Sequence, residues 1–272
     1  MDPALDRQAA RHTDSAAVDR PVVLVTGGAQ RIGRTIGLEL AAQGWAVAVH
    51  YRRSAAEAAE TVRLIEGRGG RATAFAADLA DEAQCAALVP AVLQACGRID
   101  AVVNNASLFE HDDVASFGYD AMDRHWRANT GPAVLLARAL HAALPEGRVG
   151  AVVNLLDQKL WNPNPDHLSY TLSKAALQAA TTLLAQALAP RVRVCGVAPG
   201  VTLLSGPMSA EEFAAAHRMT PLARSSTPED VARAVRFLLE SPAITGSTLL
   251  VDGGQHLQPQ PRDVLFLARE EK

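Results

Sequence analysis

The sequence predicts an α/β fold built on a buried parallel sheet, and three observations carry that expectation. Val22-Val23-Leu24-Val25 is a short, continuous apolar run bounded by turn residues, the pattern of a strand covered on both faces. A glycine-rich turn follows it at once, and a helical stretch follows the turn. The alternation of apolar run, turn and helix then recurs along the chain, as βαβ units require. At 272 residues, 49% of them hydrophobic, the chain can bury a sizeable core as one large domain or two small ones.

The bulk properties exclude several roles. A net charge of -3 offers no electrostatic case for nucleic acid or an anionic membrane. No apolar run approaches the roughly 18 residues of a membrane span. Residues 1–20 are polar and charged, lack the apolar centre of a secretory signal, and read as a flexible tail. Cys85, Cys96 and Cys195 are an odd set without metal-ligand spacing, which reads as reduced, buried thiols in a cytoplasmic protein. His111-Asp112-Asp113 and His125 fit no tight metal-ligand set either.

The first turn, Thr26-Gly27-Gly28-Ala29-Gln30-Arg31-Ile32-Gly33, leads into a helix that Gly44 stops. Strand, glycine turn and helix together suit a dinucleotide diphosphate. Glycines let the backbone approach the phosphates, and the helix N-terminus offers unpaired N–H groups. A tight structural turn is the plainer alternative. Residues 46–51 form the second strand. Where an acidic residue would bind the ribose 2′-hydroxyl of NAD, Arg52-Arg53-Ser54 stand instead. Two guanidiniums and a hydroxyl suit a 2′-phosphate, so NADPH is the expected cofactor. Ser54 with Glu57 also reads as a capping box for the next helix.

Residues 71–76 form a third strand, with Asp78-Leu79 behind it. Residues 81–96 form a helix ended by Gly97, and Ala101-Val102-Val103 enters a fourth strand that leads to Asn104-Asn105-Ala106. The apolar run Val152-Val153-Asn154-Leu155-Leu156 is a buried strand, and Asp157 follows it, at the end where open α/β sheets place ligands. Residues 161–166 are a turn-rich loop. Tyr170 and Lys174 then fall four residues apart on one face of a long Ala- and Leu-rich helix. A lysine cation favours the phenolate and lowers the tyrosine pKa, bringing proton transfer within reach of neutral pH. Residues 191–197 form another strand, Thr227-Pro228-Glu229-Asp230 opens a helix, and Leu249-Leu250-Val251 is the last strand, ended by Asp252-Gly253-Gly254.

Thr26-Gly27 through Gly33, Asn104-Asn105-Ala106, Asn129, Tyr170-x-x-x-Lys174 and Pro199-Gly200 occur in the order seen in the short-chain dehydrogenase/reductase superfamily, which residues 21–254 resemble. The resemblance implies a single Rossmann-like, doubly wound α/β domain, with a mostly parallel sheet flanked by helices, over residues 21–256. It implies that Gly27, Gln30, Arg31, Ile32, Gly33, Asp78, Asn105, Ala106, Pro199 and Gly200 hold the cofactor with the three residues 52–54. It also implies that Asn129 supports Lys174 through a water and that Lys174 binds the nicotinamide ribose. Residues 201–217, with Thr202, Pro207 and Met208, resemble the family's mobile substrate loop. Tetramers through the long helix are common in the family.

Two departures from the superfamily pattern narrow the reading. Arg31 stands where glycine is usual, and Asp157 stands thirteen residues before the tyrosine, where serine is usual. With the stretches 50–58 and 105–109 they resemble the pteridine reductase branch, which reduces biopterin, folate or related pterins with NADPH. By that resemblance Phe109 stacks on a pterin, Ser107 and Arg31 contact substrate and cofactor phosphate, and Asp157 with Tyr170 assists proton transfer. The rival expectations are a ketone reductase acting on, for instance, a 3-oxoacyl thioester, and a non-catalytic NADPH-binding regulator. In the last segment, 257–272, Val264-Leu265-Phe266-Leu267 is too apolar for a free tail, so docking on a neighbouring subunit is expected.

Overall fold

The computed structural model describes residues 20–204 and 208–270. The expected tail, apart from Arg20, and Pro207 lie outside the described residues. Seven strands form one sheet: β1 (Val22–Val25), β2 (Ala46–Tyr51), β3 (Arg71–Ala76), β4 (Ala101–Asn104), β5 (Gly150–Leu155), β6 (Val192–Pro199) and β7 (Thr248–Val251). Their order is β3-β2-β1-β4-β5-β6-β7, and every neighbouring pair is parallel. The sheet is therefore wholly rather than mostly parallel. β1, β4 and β5 are buried along their whole length, which is why their sequences are mostly apolar rather than alternating, with Asn104 and Asn154 as exceptions.

Helices cover both faces: α1 (Arg31–Ala42), α2 (Ala55–Glu66), α3 (Glu82–Cys96), α4 (Tyr119–His125), α5 (Gly131–Ala143), α6 (Leu168–Ala187), α7 (Ala210–Arg218), α8 (Pro228–Glu240) and α9 (Val264–Glu270). Ile36 and Leu40 of α1 and Val235 and Leu238 of α8 join one face of the sheet in a common core. Leu88, Val92, Leu136 and Leu140 from α3 and α5 build the core on the other face. Local signals set the helix ends. Asp81 caps α3 by accepting from the Ala83 and Gln84 N–H groups, and Gly97 closes it at φ +76°, where a side chain would be strained. Thr227 and Asp230 form a capping box at α8.

Three expectations are corrected here. Ser54 occupies the cap position of α2, but its backbone (φ -85°, ψ 58°) is not extended, and its side chain makes no capping bond. The stretch 201–217 is not loop throughout, because Ser209 and Glu212 close a capping box that starts α7. Cys96 is half-buried rather than buried. Near the C-terminus, α9 packs against α7 and buries Val264, Leu265 and Ala268 on its own chain. No helix among the described residues is long and apolar enough to cross a membrane.

Candidate active site

The strand order reverses direction between β1 and β4, so the connections from their C-terminal ends leave in opposite directions and open a crevice. The glycine turn lies there. Gly27 sits at φ +61°, and a Cβ on Gly33 would stand 2.2 Å from the Gly27 carbonyl oxygen, so the turn tolerates no side chain at either position. Asn105 braces it, donating through Nδ2 to the carbonyls of Thr26 (2.9 Å) and Gly27 (3.2 Å). The Thr26 hydroxyl accepts from the N–H groups of Asn105 (2.9 Å) and Ala106 (3.0 Å). Gln30 gives α1 no side-chain cap, which leaves its first-turn amides for an anion.

His50 is a support that sequence reasoning missed. It is buried at the end of β2, its Nδ1 accepts from the Gly27 N–H (3.0 Å), and its Nε2 donates to the Ala77 carbonyl (3.0 Å). Burial lowers its pKa, so the neutral tautomer that both bonds require is the stable one. An isolated histidine in an apolar strand carries no sequence signal for this role.

Arg52 and Arg53 are exposed just past β2. A glycine-rich turn, an uncapped helix end and two exposed guanidiniums fit a dinucleotide diphosphate carrying a further phosphate. Asp78 follows β3 and is held in a local turn, its Oδ1 accepting from the Ala80 N–H and its own N–H donating to Gln84. Arg31 takes φ +54°, the conformation that explains the usual glycine, and its Nη2 donates to the Leu204 carbonyl at 2.8 Å.

The turn opens into a cavity of about 300 Å³, at the low end for small-molecule sites. Arg31, Ile32, Asn105, Ser107, Phe109, Asp157, Tyr170, Lys174, Pro199, Gly200, Thr202 and Met208 all border it. Gly27, Gln30, Gly33, Ala106, Asn129, Arg52, Arg53, Ser54 and Asp78 stand outside its lining. The helix α6, which carries Tyr170 and Lys174, is held by a buried amide chain. Asn104 Nδ2 donates to Asn154 Oδ1 (2.8 Å), and Asn154 Nδ2 donates to Thr181 Oγ1 (2.9 Å).

Tyr170 and Lys174 project from one face of α6 as the spacing predicts. The Tyr170 hydroxyl donates to Asp157 Oδ2 at 2.7 Å, while Asp157 Oδ1 accepts from the Lys159 N–H at 2.9 Å. Lys174 Nζ donates to the Leu155 carbonyl at 2.7 Å and lies 5.8 Å from the Tyr170 ring centroid. The expected direction of the tyrosine shift is reversed. Burial first and Asp157 second push the phenol well above its usual range, so Tyr170 is a neutral proton donor in this state. Burial likewise raises the Asp157 carboxyl and lowers Lys174 to about 8.

Asn129 lies in a π-helical turn (Trp126–Thr130), a widening that no sequence signal announces. Its amide is fully used. Oδ1 accepts from the Leu108 N–H and the Ser107 hydroxyl, and Nδ2 donates to the Leu108 carbonyl and Ser173 Oγ. Its side chain braces the 107–108 stretch against α6 and makes no bond to Lys174. Phe109 is 43% exposed, which rules out core packing. Its ring stacks on His167 at 4.2 Å and meets Tyr170 edge-on at 4.7 Å.

A family model described as Enoyl-(Acyl carrier protein) reductase matches residues 27–256. The crystal structure of FolM Alternative dihydrofolate reductase 1 from Brucella canis, complexed with NADP, is 42% identical, with a TM-score of 0.85 over 91% of this chain and 98% of that one. Granaticin polyketide synthase ketoacyl reductase 2, as one relative from Streptomyces violaceoruber is described, is 36% identical over 89% of this chain and 98% of its own. Pteridine reductase 1 of Leishmania tarentolae is 32% identical over 87% and 96% respectively.

Proposed function

Since the chain belongs to the short-chain dehydrogenase/reductase family, whose members are NADP-dependent reductases among its relatives, we propose that it reduces a pterin or dihydropterin with NADPH. The observation that carries this reading is the 2.7 Å bond between Tyr170 and the half-buried Asp157, in a cavity that also presents the exposed ring of Phe109. The likeness to the Brucella and Leishmania enzymes supports it.

Gly27, Gly33 and the α1 amides hold the NADPH diphosphate, with Asn105 and Ala106 bracing the turn, Arg52, Arg53 and Ser54 at the 2′-phosphate and Asp78 at the adenine. Pro199 and Gly200 close over the nicotinamide, and Lys174 binds its ribose. Bound NADPH supplies the hydride for a ring C=N bond. Tyr170 supplies the proton to the ring nitrogen, which a neutral phenol with a raised pKa can do only at the moment charge develops there. The Lys174 ammonium then supports the phenolate. Asp157 accepts from ring N–H donors and, with its raised pKa, shares the proton. Phe109 covers one face of the ring, and Ser107 and Arg31 line its edges.

The ketoacyl reductase relative favours a second reading, reduction of a ketone, with Asp157 in the place of a hydroxyl. Phe109→Ala separates the two. Loss of a stacking ring costs on the order of 1 kcal/mol, so KM for a dihydropterin rises by roughly fivefold, while an aliphatic ketone is indifferent to it. An unchanged pterin KM removes Phe109 from the site.

Cofactor choice is tested at the two arginines. A charge-assisted hydrogen bond is worth roughly 1.5–3 kcal/mol, so replacing Arg52 and Arg53 by alanine weakens NADPH by about tenfold or more relative to NADH. Equal losses for the two cofactors contradict the 2′-phosphate assignment.

A further inference from the structure

Part of the cavity lining comes from the C-terminal segment. Gln255, Gln260, Asp263, Val264 and Leu265 border it together with Asp157 and Lys159. The segment is clamped. Arg262 grips the buried Asp166 in a two-pronged pair, Nε to Oδ2 and Nη2 to Oδ1, both at 2.9 Å, and the Asp263 N–H donates to Asp166 Oδ2 at 2.7 Å. Lys159 is 3% exposed, donates to the Asp166 carbonyl at 2.5 Å, and stands 3.6 Å from Asp263 Oδ2. A buried ammonium needs such a partner.

We infer that Asp263 is a substrate-recognition residue, whose carboxylate accepts the paired N–H donors of a 2-amino-4-oxo pyrimidine edge. This rests on the pterin reading and extends it to the pyrimidine edge of the ring. Asp263 Oδ1 accepts from the Leu265 N–H at 3.1 Å. A carboxylate has about four lone-pair sites, so the Lys159 contact and this bond leave acceptor capacity at the cavity wall. A second observation points to the same ligand. Gln158, which also borders the cavity and is 7% exposed, has its Oε1 without a hydrogen-bond partner. Asp263 and the unpaired Gln158 Oε1 are both acceptors, and a pterin brings N3–H and a 2-amino group side by side. Two parallel charge-assisted bonds are both strong and selective. Arg262, Asp166 and Lys159 are positioning residues that hold Asp263 in place.

The test is equilibrium binding to the NADP-loaded protein of a dihydropterin and of the matching dihydrolumazine, in which an oxo group replaces the 2-amino group. The unmodified protein is expected to prefer the dihydropterin by about tenfold or more. Asp263→Asn, whose amide also donates to an oxo group, reduces the preference to within roughly threefold and leaves NADP affinity unchanged. Equal binding of the two ligands by the unmodified protein, or a preference that survives Asp263→Asn, overturns the assignment. Binding of neither ligand by the unmodified protein overturns the pterin reading itself. Thermal melting checks that the variant folds; if it does not, the preference of the unmodified protein still decides.

Discussion

Tyr170→Phe lowers turnover by about 10²-fold or more while leaving NADPH affinity intact, the usual scale for losing a general acid. The substitution keeps the ring, and with it the edge contact to Phe109 at 4.7 Å, but removes the hydroxyl that donates to Asp157. The same bond lowers the Asp157 pKa in the unmodified protein. Its loss therefore shifts that carboxyl further towards the protonated form. Single-turnover rates at saturating NADPH separate this loss of chemistry from a loss of binding. Near-full activity would make Asp157 the proton donor and Tyr170 a supporting residue.

Asp157→Ser has the second-largest effect, and its sign depends on the substrate. An ionised carboxylate accepts hydrogen bonds only and repels the negative charge that develops on a ketone oxygen. A pterin carries N–H donors that a carboxylate can accept. Charged hydrogen bonds are worth roughly 1.5–3 kcal/mol, so pterin turnover falls by about tenfold to a hundredfold in the serine variant. Ketone turnover stays level or rises, because serine restores a neutral donor beside Tyr170. Steady-state kinetics of both proteins on both substrates give the result directly. A serine variant with undiminished pterin activity would contradict the role given to the carboxylate.

The central strands and the shared face of Tyr170 and Lys174 were legible in the sequence for a plain physical reason. Strands buried on both sides are largely apolar, so β1 and the Val-rich stretches of β4 and β5 stand out, with Asn104 and Asn154 the buried polar exceptions that pair with each other. The period of the α-helix alone places Tyr170 and Lys174 on one face. Asp81 and Gly97 mark the ends of α3 because the polar groups at a helix end are satisfied locally. Where the deciding partner is remote, the sequence is silent. His50 holds the Gly27 amide from the next strand, and Lys159 meets Asp263 only after the chain has crossed the sheet.

The direction of the Tyr170 shift shows the same limit. A spacing of four residues reveals that a lysine is near but not how much water has been removed, and desolvation outweighs the cation. Ser54 and Glu57 carry the capping-box residues, but a backbone that leaves the extended region turns the hydroxyl away from the bond. The helix α7 is the converse case. Ser209 and Glu212 carry the same signal, and there the backbone at Ser209 is extended and the box closes.

The measurement that bears most directly on the whole account is the rate of NADPH oxidation by the unmodified protein with dihydrobiopterin, dihydromonapterin, dihydrofolate and an acetoacetyl thioester, side by side under one set of conditions. The expected result is a kcat/KM for at least one dihydropterin that exceeds that for the thioester by about tenfold or more, as a ring held by Phe109 and hydrogen-bonded by Asp157 requires. A thioester reduced faster than all three pterins would contradict it and make the protein a ketone reductase.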